Sequence, residues 1–180
     1  DLASFYKKNL YGAVVSASID KYIYVIIKKN HDIFEEKFRL NYSESELVND
    51  VEEIRNPIIR ECIKFTEISD KLYIGTIADI PASSGLGSSS AFCVGLLNSL
   101  YNYKKIKVTN EQLAEEAAHI EMNILKRPMG KQDHYSCAVG GFNLFKFNDD
   151  ETVKIENLSF SNERIDEIFK CFLSFWTGMT

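Results

Sequence analysis

Apolar and polar positions along this chain follow two periods, and the switches between them mark its elements. Gly12–Ile19 and Tyr22–Lys28 are rich in β-branched and aromatic residues with partial two-residue alternation, which predicts two strands. The Asp20-Lys21 pair between them is short enough for a hairpin. Phe38–Tyr42 predicts a third strand. From Ser45 the spacing turns helical, with Val48, Val51, Ile54, Ile58 and Cys62 near one face. Pro57 removes a backbone donor inside that stretch, so the helix either kinks or restarts with Asn56 as its cap. Leu72–Ala78 predicts a strand that runs straight into a Gly/Ser loop. Ser88–Leu100 predicts a buried helix packing through Phe92, Leu96, Leu97 and Leu100. Thr109-x-x-Gln112 has the capping-box pattern, and Leu113, Ala117, Ile120 and Ile124 form an inward stripe that ends by Pro128. A short helix over 130–138 precedes Gly140-Gly141, a strand over Phe142–Phe147 and a turn at Asn148-Asp149-Asp150. Ser161–Phe169 predicts a helix, and Phe172–Trp176 a last strand. Strands alternate with helices while a hairpin is also present, so the fold class is mixed α+β rather than purely parallel.

Composition narrows the function. At 180 residues the chain is long enough for one well-packed domain and a piece of a second. A formal charge of −5 argues against a nucleic-acid partner, which needs clustered Lys and Arg. A small anionic substrate is still allowed, because a site can be locally positive. Cys62, Cys93, Cys137 and Cys171 form no Cys-x-x-Cys pair and have no His at zinc spacing. Their apolar neighbours predict four buried, reduced thiols in a cytoplasmic protein. No run reaches the ~18 apolar residues of a membrane span, and no secretory signal opens the chain. The first residue is not Met, so the chain is expected to begin inside a longer protein.

The chemistry concentrates in Pro81-Ala-Ser-Ser-Gly-Leu-Gly-Ser-Ser-Ser90. Pro81 fixes the exit from a strand, while Gly85 and Gly87 permit positive φ and close backbone approach. Ser88, Ser89 and Ser90 fall where a helix begins and its first N–H groups lack intrahelical partners. With the helix dipole added, that end favours a polyphosphate without any lysine. Serine hydroxyls can also serve Mg²⁺, which prefers oxygen ligands. The loop lacks the Gly-Lys-Ser/Thr end of a Walker loop, and Ser90 stands where a dinucleotide fingerprint needs glycine.

Pro81-x-x-x-Gly85-Leu86-Gly87-Ser88-Ser89 resembles the phosphate-binding motif of the GHMP kinases. A second likeness to that family is Glu121, then Arg127-Pro128-Met129-Gly130-Lys131-Gln132-Asp133, then Gly140-Gly141. Within the family the chain most resembles bacterial D-glycero-D-manno-heptose 7-phosphate kinases, through Leu2-Ala-Ser-Phe-Tyr6, Gly12–Tyr22 and Gly130–Asp133. The resemblance implies a domain similar to ribosomal protein S5 domain 2, a mixed sheet with helices packed on it. It also implies ATP and Mg²⁺ as cofactors and phosphoryl transfer to a sugar hydroxyl, the anomeric one in the heptose enzymes.

Carried onto this sequence, the resemblance assigns ATP binding to Pro81, Ser83, Ser84, Gly85, Leu86, Gly87, Ser88, Ser89 and Ser90. Ser89 and Glu121 become metal ligands, and Asp133 the catalytic base beside the acceptor hydroxyl. Such transfer needs positioning, charge neutralisation and one carboxylate near the nucleophile. Asp1 and Lys131 become substrate contacts. Each has a plainer reading: Asp133 as a helix cap, Glu121 as a solvated flank, Lys131 as an exposed charge. Residues 1–158 correspond to the N-terminal ATP-binding domain without its first strands, and 159–180 to the start of the C-terminal domain. The family's first and third glycine-rich motifs are expected outside the chain, so these residues alone are expected to have little activity. The partners expected are a sugar phosphate and ATP, with no nucleic acid or membrane and a homodimer left open. The rivals are a fucose or galactose kinase, a non-catalytic sensor on the same fold, and an S5-like RNA module.

Overall fold

The computed structural model describes residues 1–81, 84–173 and 175. In chain order the elements are α1 (Ala3–Tyr6), β1 (Tyr11–Ala17), β2 (Ile23–Lys29), β3 (Phe38–Asn41) and β4 (Ser45–Val48). A 3₁₀ turn (Val51–Glu53) leads to α2 (Pro57–Phe65), β5 (Leu72–Ala78), α3 (Ser88–Tyr103) and α4 (Asn110–Ala118). A π-helical turn (His119–Ile124) extends α4, followed by α5 (Gln132–Val139), β6 (Phe142–Asn148), β7 (Val153–Asn157) and α6 (Asn162–Lys170). No helix among the described residues is long and apolar enough to cross a membrane.

The strands form two sheets. One is antiparallel with order β1-β6-β7; the other has order β2-β5-β3-β4 and is mixed, since β3 and β5 run parallel. The expected hairpin between the first two strands does not form. β1 pairs with β6, from Tyr11 opposite Asn148 to Ala17 opposite Phe142, and β2 pairs with β5, from Ile23 opposite Ala78 to Lys29 opposite Leu72. A two-residue hairpin turn needs positive φ at one or both central residues, and neither Asp20 nor Lys21 adopts it. β6 offers β1 a better partner, because it turns Asn143, Phe145 and Phe147 inward in strict alternation. β7 was not expected from the sequence. It follows the turn at Asn148–Asp150 as a half-buried edge strand on β6.

The larger core lies between the four-stranded sheet and helices α2, α3 and α4, with Leu40, Ile59, Ile74, Leu97 and Leu113 among its buried members. A smaller core, built from Tyr6, Ala114, Tyr135, Phe145 and Phe147, joins the three-stranded sheet to α4 and α5. α5 thereby packs against both α3 and α4. The helix cap at Asn56 forms as the restart reading requires: its Oδ1 accepts from the Ile58 and Ile59 amides, both at 3.1 Å. Half of the expected capping box forms at Thr109, whose hydroxyl accepts from Gln112 N. The Gln112 side chain donates to Glu116 instead.

The helical spacing from Ser45 misleads, because β4 buries a charge. Glu46, opposite Leu40, is its inward residue. Its carboxylate accepts from Tyr42 Oη at 2.6 Å, Arg55 N at 2.8 Å and Asn56 N at 3.3 Å, so it pins the start of α2 to the sheet. The thiols also depart from expectation. Cys62 and Cys93 are buried with Sγ atoms 3.8 Å apart, but Cys137 and Cys171 are exposed. Cys137 faces a cavity, and Cys171 closes α6, which buries none of its residues. The strand expected over Phe172–Trp176 runs beyond the described residues.

Burial alone pushes the Glu46 pKa up, but the Tyr42 hydroxyl, the Arg55 and Asn56 amides and the Arg55 charge hold it below the ordinary 4.5. A carboxyl depressed on folding contributes stability above its unfolded pKa and loses it as pH falls through the folded value. Glu46→Gln is expected to cost about 1–3 kcal/mol at pH 7, since it leaves buried donors poorly paired. The gap between wild type and variant should shrink below pH 4.5, as urea titrations across pH would show.

Candidate active site

β5 delivers the chain to the loop, and α3 begins at its end. Gly85 and Gly87 have φ of +74° and +72°, in the left-handed region where a side chain is strained. Gly87 is the N-cap of α3 and supplies no side chain to close the helix, so the first-turn N–H groups face outward. Pro81 lies exposed at the loop's start, and Ser83 falls outside the described residues. Ser84 and Ser88 share a hydroxyl hydrogen bond of 3.2 Å. Ser90 is buried as a whole residue, so its hydroxyl does not open on the cavity.

A cavity of about 570 Å³ opens here, and Gly85, Leu86, Gly87, Ser88 and Asp133 all line it. Asp133 stands in the first turn of α5. A Cβ at Gly87 would lie 3.5 Å from Asp133 Oδ2, so the carboxylate stands within van der Waals reach of the head of α3. Asp133 does not cap its own helix. That task falls to Asp1, whose Oδ2 accepts from Gln132 N at 3.1 Å across Gly130. Asp1 therefore braces the segment that carries Asp133 and is not part of the described cavity lining.

Lys131 is also a brace. Its ammonium donates to both Glu115 carboxylate oxygens, at 3.0 and 2.8 Å, and to Glu151 O at 3.1 Å. Three protons meet three acceptors, and Lys131 thereby ties α5 to α4 and to the β6–β7 turn. Lys21 is the cation among the described lining residues.

Glu121 lies on the π-helical turn and is fully buried, not solvated. Its Oε1 accepts from Ser89 Oγ and Arg127 Nη1, and its Oε2 meets His134 Nε2 at 2.9 Å. Arg127 Nη1 also donates to Ser89 Oγ at 2.5 Å. Burial would raise the Glu121 pKa; the His134 and Ser89 hydrogen bonds and the neighbouring positive charges outweigh it and bring it below the ordinary value. The Ser89–Glu121 pair suits a hard cation, for it offers one hydroxyl and one carboxylate oxygen that already share a positive group. Among the described residues no three His, Cys, Asp or Glu side chains gather into a metal cage. A Mg²⁺ here would complete its shell with phosphate and water, as that ion commonly does.

Two members of this cluster escaped the sequence reading. His134 follows Asp133 directly on α5 and so points another way, inward onto Glu121. Arg127 reaches the same carboxylate through a reversal of the chain. Lys126 adopts φ +55°, and Arg127 N donates to Glu121 O at 2.9 Å, which folds the chain back onto the π-helical turn. Neither the wide turn nor a positive φ at lysine has a local sequence signal.

Residues 36–141 match the family described as GHMP kinases N terminal domain. The chain belongs to the GHMP kinases. It is 29% identical over 181 residues to D-glycero-alpha-D-manno-heptose 7-phosphate kinase of Campylobacter jejuni, covering 94% of this chain and 52% of that protein. The crystal structure of a D-glycero-D-manno-heptose 1-phosphate kinase from Bacteriodes thetaiotaomicron matches with a TM-score of 0.80 and 25% identity, over 91% of this chain and 56% of that one. Lactococcus lactis galactokinase, complexed with galactose, shares the fold at 16% identity and a TM-score of 0.61, over 89% of this chain and 45% of that one. The chain thus spans about half the length of these relatives. The expected mixed α+β fold of a GHMP kinase N-terminal domain is borne out.

Two consequences can be measured. His134→Ala leaves Glu121 Oε2 buried without its partner and is expected to cost about 1–3 kcal/mol in chemical denaturation, with partial recovery in His134→Asn. A methyl group at Gly130 would run into the Asp1 carboxylate and carbonyl. Gly130→Ala is therefore expected to evict Asp1, cost about 1–3 kcal/mol and speed hydrogen exchange at the Gln132 amide.

Proposed function

We propose that the protein is an ATP-dependent sugar-phosphate kinase acting on the anomeric hydroxyl of D-glycero-D-manno-heptose 7-phosphate. The observation that carries the reading is the approach of Asp133 to Gly87, which puts a carboxylate at the uncapped head of α3 inside one cavity. The N–H groups of the loop and of the first turn of α3 bind the ATP phosphates. Asp133 orients the acceptor hydroxyl. As that oxygen forms its bond to the γ-phosphorus, the bond from phosphorus to the ADP oxygen breaks and the proton passes to the Asp133 carboxylate. Ser89 and Glu121 would hold Mg²⁺, which would supply charge neutralisation on the phosphates. Asp1 and Lys131 act by fixing the segment that presents Asp133.

The choice of acceptor rests on the names of the relatives, since the Campylobacter jejuni and Bacteriodes thetaiotaomicron proteins are both heptose phosphate kinases. A cytoplasmic location accords with such a substrate. ADP release by the intact protein across a panel of heptose phosphates and free sugars tests the acceptor; turnover confined to free fucose or galactose would remove the heptose-phosphate reading. Asp133→Ala is expected to lower turnover by about 10²–10⁴-fold while ATP affinity, followed by fluorescence titration, stays near wild type. Turnover that survives the change would show that Asp133 is not the base.

A further inference from the structure

The guanidinium of Arg127 lies where a divalent cation would lie. One nitrogen, Nη1, donates to both Ser89 Oγ and Glu121 Oε1, the same two oxygens that suit a hard cation. The other carboxylate oxygen of Glu121 is taken by His134, so the arginine covers the face of Glu121 that points to Ser89. Two positive groups at contact distance in a partly dry site repel each other strongly, so they compete for those oxygens. The Glu121 side chain has no exposed surface, whereas 34% of the Arg127 side chain is open to solvent. The carboxylate is thus fixed, and the guanidinium can leave by turning outward without unpacking the core.

We infer that Arg127 is an internal counter-cation that occupies the metal position in the resting protein and must be displaced before a divalent ion binds. The inference rests on the reading of Ser89 and Glu121 as metal ligands. In the resting state the guanidinium neutralises Glu121 and holds Ser89 at the head of α3. A metal ion alone must compete with it for both oxygens and gains only those two protein ligands. A metal ion arriving with a polyphosphate also brings its own phosphate oxygens, and the expelled guanidinium gains an anion to pair with, so exchange is favoured when the nucleotide comes too. The device suppresses binding of free metal and links metal entry to nucleotide entry.

The test is a Mn²⁺ titration of the purified protein without nucleotide, with free Mn²⁺ read by electron paramagnetic resonance. Arg127→Gln keeps a polar side chain and removes the charge; it is expected to tighten Mn²⁺ binding by about tenfold, within the usual range for mutually exclusive ligands. Arg127→Lys retains a cation and should stay as weak as wild type. If Arg127→Gln does not fold, Arg127→Met serves as the neutral variant. Equal affinities in the neutral variant and in Arg127→Lys would overturn the inference and leave the metal ligands untouched. Tight binding that persists in Arg127→Gln/Glu121→Gln would show that the ion sits elsewhere, and both the ligand assignment and the inference would fall.

Discussion

One buried carboxylate ties the architecture together. Glu121 is sealed from solvent at the end of α4, and its partners come from three other places: Ser89 on α3, His134 on α5 and Arg127 in the return segment. An unpaired charge in that position would cost several kcal/mol. The four segments therefore have to arrive together, and the arrangement that satisfies Glu121 also sets α5 against the head of α3. The π-helical turn makes this possible. By widening the helix over His119–Ile124, it changes the angle at which Glu121 leaves the backbone.

The approach of α5 to α3 depends on what is missing as much as on what is present. Gly87 ends the loop in a left-handed conformation that a side chain would strain, and Gly130 leaves room for Asp1 to reach Gln132 N. Tethers on the far side complete the frame. Lys131 and the Tyr135 hydroxyl both donate to Glu115 on α4. Asp1 and Lys131 both hold the segment that carries Asp133 in place. The charged side chains among the cavity's described lining are Asp133 and Lys21.

Much of this was legible in one dimension. The strand over Leu72–Ala78, the loop, and the helix that follows were readable because their signals are local: β-branched alternation, glycine at turns, a serine run at a helix start. The cap at Asn56 and the half box at Thr109 were readable for the same reason. β4 was hidden because its inward residue is Glu46, whose partners Arg55 and Asn56 lie nine and ten residues on. The pairing of β1 with β6 was hidden because the partners lie more than a hundred residues apart, and the nearer strand looked sufficient. His134 and Arg127 were missed for a related reason. A histidine on a short helix and an arginine before a proline carry no pattern until the elements that receive them are in place.

The sequence by itself determined that a Gly/Ser loop heads a helix, that a carboxylate follows a Pro-x-Gly element, and that both lie in a mixed α+β chain. These are properties of spacing and backbone preference, which each short segment carries with it. Only the tertiary structure decided that Asp133 faces the loop, that Asp1 and Lys131 are braces, and that Glu121 is buried under Arg127. Those outcomes depend on desolvation and on competition among distant partners for the same polar groups. Such a competition is settled only when the sheets and helices close on one another.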